Sequence, residues 1–169
     1  TYVWTNALVG TALPWSAGAN WSGGAAPSGG RGADVQFFTG QTLAGGAVTS
    51  RNDSAGDFVL NALTLAGTAS AAATATLTGG GLTFVNNGLY APEVTLAAAA
   101  GAGFSYEIAA PVMLGNDTTF GGTGNAALRF SGPVSGPGAL VKAGAGTLTL
   151  TGTNSYAGET RISAGTLQI

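Results

Sequence analysis

Near the C-terminus the chain writes one short strand twice. In AGAGTLTLTGTNSYAGETRISAGTLQI, residues 143–169, the pattern Gly-Thr-Leu-x-[Leu/Ile] runs from Gly146 to Leu150 and again from Gly165 to Ile169. Leu148 and Leu167 stand 19 residues apart, Leu128 and Leu148 20 apart, and Leu63 and Leu82 again 19 apart. A strand rewritten at a period near 20 residues is the signature of a solenoid, in which each turn stacks on the last. A β-sandwich also shows short strands at steady spacing, but it has no need to repeat one of them.

The expected fold is therefore all-β, a parallel β-helix. One turn has little stability alone, because its backbone groups pair only with the turns above and below at about 4.8 Å per rung. At about 20 residues per turn the body would hold roughly six or seven rungs, a rod near 30 Å long. Strands are expected at 33–38, 58–65, 73–79, 81–85, 93–97, 104–110, 127–132, 139–144, 147–152, 160–165 and 166–169, separated by Gly, Asn, Asp and Ser clusters. In TLTLTG, Leu148 and Leu150 face inward while Thr147, Thr149 and Thr151 face out.

Composition supports this and removes the competitors. Only five Lys/Arg and seven Asp/Glu stand against 30 Gly. Long soluble helices need charged side chains every third or fourth residue, and those are missing here. A hydrophobic fraction of 45% and a net charge of -2 exclude the disordered class. Glycine has no three-residue period, and no run of 18 apolar residues exists to span a bilayer. The weak negative charge gives no footprint for nucleic acid or anionic lipid, so neither nucleic-acid binding nor membrane insertion is expected. Cysteine and histidine are absent, which is compatible with export. The chain opens at Thr1 without initiator Met, signal peptide or tag, as expected of a processed mature chain or an excised segment. Residues 1–33 hold Trp4, Trp15 and Trp21 and read as an N-terminal cap or interface segment, with 34–169 as the solenoid body.

Residues 135–169, SGPGALVKAGAGTLTLTGTNSYAGETRISAGTLQI, closely resemble the passenger-associated β-strand repeat of bacterial autotransporters. The matching positions are Gly138, Leu140, Lys142, Gly144, Gly146, Thr147, Leu148, Leu150 and Gly152, then Asn154, Tyr156, Gly158 and Thr160, then Gly165, Thr166 and Leu167. Before residue 127 the likeness is loose. The resemblance implies a right-handed parallel β-helix displayed outside a bacterial cell as a stalk or scaffold, with no catalytic residues to carry over. Typical passengers run for many hundreds of residues into a membrane β-barrel, for which this chain has no room.

A solenoid's last turn offers unpaired N–H and C=O groups, and residues 160–169 hold no proline or charge past Arg161 to blunt them. The simplest partner is another copy: head-to-tail contact does not close and propagates a filament. Its interface is expected at Trp4, Trp15, Trp21, Leu148, Leu167 and Ile169. The alternative is a stalk or adhesin segment; Tyr2, Trp4, Trp15 and Trp21 could stack on surface glycans, but large aromatics plugging the end of a solenoid explain them better. An enzyme is not expected. Arg51, Asp53 and Asp57 in RNDSAGD could form a carboxylate pair for glycoside chemistry, but turn residues accepting backbone hydrogen bonds explain them better. GGTGNAALRF (121–130) departs from the calcium β-roll pattern at Ala126, and Asp117 reads as a turn, so no metal or other cofactor is expected. Asn20, Asn52 and Asn116 begin glycosylation sequons that carry little meaning in a bacterial protein.

Overall fold

The computed structural model describes residues 1–169 and is a parallel β-helix. One face is a seven-stranded sheet whose order follows the chain: Tyr2–Trp4, Asp34–Phe37, Ala62–Leu65, Glu93–Leu96, Thr118–Gly121, Leu140–Lys142 and Thr160–Ile162. A second seven-stranded face stacks Ala12–Pro14, Gly46–Asn52, Ala73–Gly79, Phe104–Ile108, Ala127–Phe130, Thr147–Leu150 and Thr166–Gln168. Between each second-face strand and the next first-face strand the middle rungs add a third side, Phe58–Leu60, Leu82–Phe84, Val112–Leu114 and Val134–Ser135. Each strand pairs in parallel with its counterpart one turn away, as in Leu128↔Leu148 and Leu148↔Leu167. Seven rungs at about 4.8 Å give a stack about 29 Å tall.

Alternation along the strands builds the core. Ala73–Gly79 buries Ala73, Ala75 and Leu77 and turns Thr74, Thr76 and Thr78 outward. Inward columns are vertically aligned, for example Val35, Leu63, Val94 and Phe120. Like residues therefore pack on like rungs, and a single apolar cluster runs from Trp4 to Leu150. Tyr106 points into this core, and its hydroxyl donates to the carbonyl of Ala66, 2.6 Å away, which satisfies the phenol across 40 residues of sequence. Burial raises its pKa well above the ordinary tyrosine value.

The turns are not uniform. The stacked pairs Val35↔Leu63 and Leu63↔Val94 lie 28 and 31 residues apart, whereas Phe120↔Lys142 and Lys142↔Ile162 lie 22 and 20 apart. The expected 20-residue turn thus holds only at the C-terminal end. The 19-residue interval between Leu63 and Leu82 is not a turn at all: Leu63 sits on the first face, and Leu82 pairs with Phe58 and Val112 on the third. The expected strand 58–65 is broken at Asn61, whose side-chain amide reaches the carbonyls of Val85 and Tyr90 in the next turn and holds a corner there.

Residues 1–33 form the first rung of the stack and close it. Tyr2–Trp4 pairs in parallel with Asp34–Phe37 on one side. Its other edge is covered by an antiparallel segment, with Ser22 N–H donating to Val3 and Thr5 N–H to Asn20. On the second face the first strand ends in Pro14, a residue without a donor. Under this cover Trp21 packs edge to face with both Trp4 and Trp15, and all three surround Phe37, at centroid distances of 5.1 to 6.1 Å.

Candidate assembly edge

Leu140, Lys142, Leu148 and Leu150 point inward and are buried by the rung above them, Thr160–Ile162 and Thr166–Gln168. That upper rung hydrogen-bonds only downward. Thr160–Ile162 is exposed throughout, Ile162 is 53% and Ile169 86% exposed, and Leu167 is half-buried against the core. The result is a β-edge with three aliphatic side chains beside a row of free backbone groups, a template for one more β-layer.

Two features hold this edge in register. At the corner after Leu140–Lys142 a Cβ on Gly144 would sit 2.7 Å from the Gly122 carbonyl oxygen, so only glycine lets the two rungs approach. Gly165, at φ 73°, makes the equivalent close approach one rung higher. Lys142 is the second feature. It occupies a core column between Phe120 and Ile162, is 4% exposed, and donates from Nζ to the corner carbonyls of Gly144 in its own rung and Ala164 in the next. Burial pulls its pKa below the ordinary lysine value. Beside it Leu96, Phe120, Leu128, Leu148 and the corner glycines line a cavity of about 10 Å³, room for one water. Beyond Leu150 the chain crosses the third side, where Asn154 bridges to Val134 and the Tyr156 hydroxyl pairs with Thr160 Oγ1 at 2.7 Å.

The family model described as passenger-associated-transport-repeat matches residues 140–169, the same two rungs. Over these residues the chain is similar to a passenger-associated-transport repeat. Such repeats occur in passenger proteins that are secreted or displayed at the surface. No curated protein and no solved structure matches the chain. In this repeat-like segment the glycines sit where rungs touch, the leucines fill the core, and the lysine ties two corners together.

The structure separates the six residues expected at a polymer interface. Leu167 and Ile169 lie on the exposed rung, Thr166–Gln168 and the residue after it. Trp4, Trp15, Trp21 and Leu148 are interior, at most 3% exposed, and pack within the rod. The three indoles lie in the core, as a plug at the end of the solenoid would, and Tyr2, half-buried, pairs with Ser28. Ile162, missed in the sequence, joins the edge, because its exposure depends on which rung is last.

The remaining candidates are structural ties. Asp53 accepts from the Ser16 N–H at 2.9 Å and from the Ser16 hydroxyl at 2.6 Å, bonds that lower its pKa, while Asp57 accepts from Thr83. Asp117 accepts the Ala139 N–H, and Ala126 is buried. Asn20 and Asn52 are buried and hydrogen-bonded, and Asn116 accepts from the Asn86 N–H, so the three sequons are occupied by the fold.

Proposed function

We propose that the chain is a non-enzymatic, extracellular structural β-solenoid, a passenger-type stalk segment whose last rung is an assembly edge. The observation that carries this reading is the one-sided hydrogen bonding of Thr160–Ile162 and Thr166–Gln168 beside Ile162, Leu167 and Ile169. Its occupant is another β-rung, joined by backbone pairing and apolar contact, so the joint depends weakly on salt. A structural role is further supported by the carboxylates, which are spent on Ser16, Thr83 and Ala139.

A second reading makes that occupant another protomer, stacked head to tail into a filament. Leu8 and Val9, 55% and 52% exposed at the N-terminal end, favour it by placing apolar surface at both ends of the rod. Because the first rung is covered by Asn20–Ser22, such a joint would dock side chains onto a closed face. Electron microscopy of the purified chain separates the two. Rods of uniform width and variable length carry the filament, and Leu167→Asp should dissolve them. Dispersed particles a few nanometres long leave the stalk segment. Loss of a hydrolytic or lyase activity in Asp53→Asn would overturn both.

A further inference from the structure

A second feature lies on the flank, away from either end. Between Leu82–Phe84 and Glu93–Leu96 the chain projects a tight hairpin, Asn87-Gly88-Leu89-Tyr90, closed by reciprocal hydrogen bonds of 3.0 Å between Asn87 and Tyr90. Gly88 takes φ 60° at the first central position, where a primed turn demands glycine. The hairpin is braced below: Asn61 Nδ2 donates to the Tyr90 carbonyl and Arg31 to the Asn86 carbonyl. Its tip displays Leu89, fully exposed, and Tyr90, 74% exposed, in a stretch with no charged side chain from residue 82 to residue 92.

Asn87 differs from most of the chain's asparagines, sharing with Asn86 and Asn154 alone a side-chain amide that no hydrogen bond holds. Asn6, Asn20, Asn52, Asn61, Asn116 and Asn125 spend their side-chain amides on hydrogen bonds that hold corners. Asn87 is exposed, its amide is unbonded, and it is the chain's one asparagine followed by glycine. The Gly88 N–H is also unpaired, and Gly88 has no Cβ to shield its nitrogen.

We propose that Asn87–Gly88 is a self-modification site, at which the neutral tip converts itself into an acidic one. The deprotonated Gly88 nitrogen attacks Asn87 Cγ, a C–N bond forms, and the side-chain nitrogen leaves as ammonia, closing a succinimide. Water then opens either carbonyl of the ring to give aspartate or isoaspartate. One water is consumed, one ammonia is released, and nothing is oxidised or reduced. The conversion takes the net charge from -2 to -3 and sets a carboxylate beside Leu89 and Tyr90. Isoaspartate also adds a methylene to the main chain of a two-residue turn, which the paired bonds between Asn87 and Tyr90 cannot span, so the hairpin opens.

The test incubates the native full chain at mildly alkaline pH and body temperature, beside a urea-denatured sample, with peptide mass mapping and isoaspartyl methyltransferase labelling over days. The expected result is a gain of one dalton confined to the peptide holding Asn87, faster at higher pH and abolished in Asn87→Gln, with the other asparagines intact. Native protein unmodified at Asn87 after the denatured chain has converted overturns the proposal. Modification that begins at another asparagine also overturns it.

Discussion

Gly144→Ala isolates the physical reason this repeat needs glycine. The added methyl would lie 2.7 Å from the Gly122 oxygen and 2.9 Å from the Gly121 carbonyl carbon, both backbone atoms that cannot swing aside. Real carbon–oxygen contacts stop a few tenths of an ångström further out, so the corner must separate from the rung below. Overpacking of this kind costs about 1–3 kcal/mol. In a chain of this size that lowers Tm by about 2–12 °C. Gly146, two residues on, is the internal control: its Cβ would meet the Gly124 oxygen at 3.2 Å, a contact that small shifts relieve, and Gly146→Ala should cost less than about 1 kcal/mol. Thermal melts followed by far-ultraviolet circular dichroism measure the difference. Hydrogen exchange localises it, because the Ala143 and Gly144 amides that bond to Phe120 should lose protection only in Gly144→Ala. Equal melting of the two variants would refute the claim that rung contact selects glycine here.

Three further outcomes follow from buried groups. Lys142 has a lowered pKa in the fold, so below that value the interior charge penalty is present in full; as pH rises from there toward the ordinary lysine value the unfolded chain holds more protons and stability increases. Denaturant titrations taken upward toward the ordinary lysine value should show this slope in the wild type and lose it in Lys142→Met. Tyr106 has the opposite sign, since its raised pKa keeps the folded phenol neutral while the unfolded one ionises, so stability should fall above about pH 10. Tyr106→Phe should remove that fall and cost about 1–3 kcal/mol at neutral pH by orphaning the Ala66 carbonyl. Trp15→Ala should cost about 3–5 kcal/mol and flatten the near-ultraviolet dichroism of the aromatic cluster, whose rings pack on Trp15 at 5.1 to 5.9 Å.

How far the sequence could be read depended on whether a signal was local. Inside and outside were plain wherever leucine alternated with threonine, as in Thr147–Leu150, because side chains leave a strand on opposite faces whatever lies above. The rung spacing was plain only where turns are shortest, Leu128 to Leu148 to Leu167. Upstream, corners lengthen the turns, and the matching interval from Leu63 to Leu82 joined different faces. The corner at Asn61 was hidden inside FVLNALTL, because the carbonyls that hold it lie 24 and 29 residues away. Leu167 and Ile169 could be placed by their position in the last rung, and the tryptophans could be read as an end cap, but the antiparallel segment over Tyr2–Trp4 that encloses them left no mark on the sequence.

The Tyr106 hydroxyl gives the rod a mechanical property. Most coils are fastened only to their neighbours, so a pull at the C-terminus would peel them away one at a time, each at a similar force. Tyr106 is fastened to two coils: its hydroxyl donates to the Ala66 carbonyl in the coil beneath and reaches the Phe37 carbonyl, 3.4 Å away, in the coil below that. Peeling should pause there, splitting the molecule into a yielding outer half and a resistant base built on the indoles.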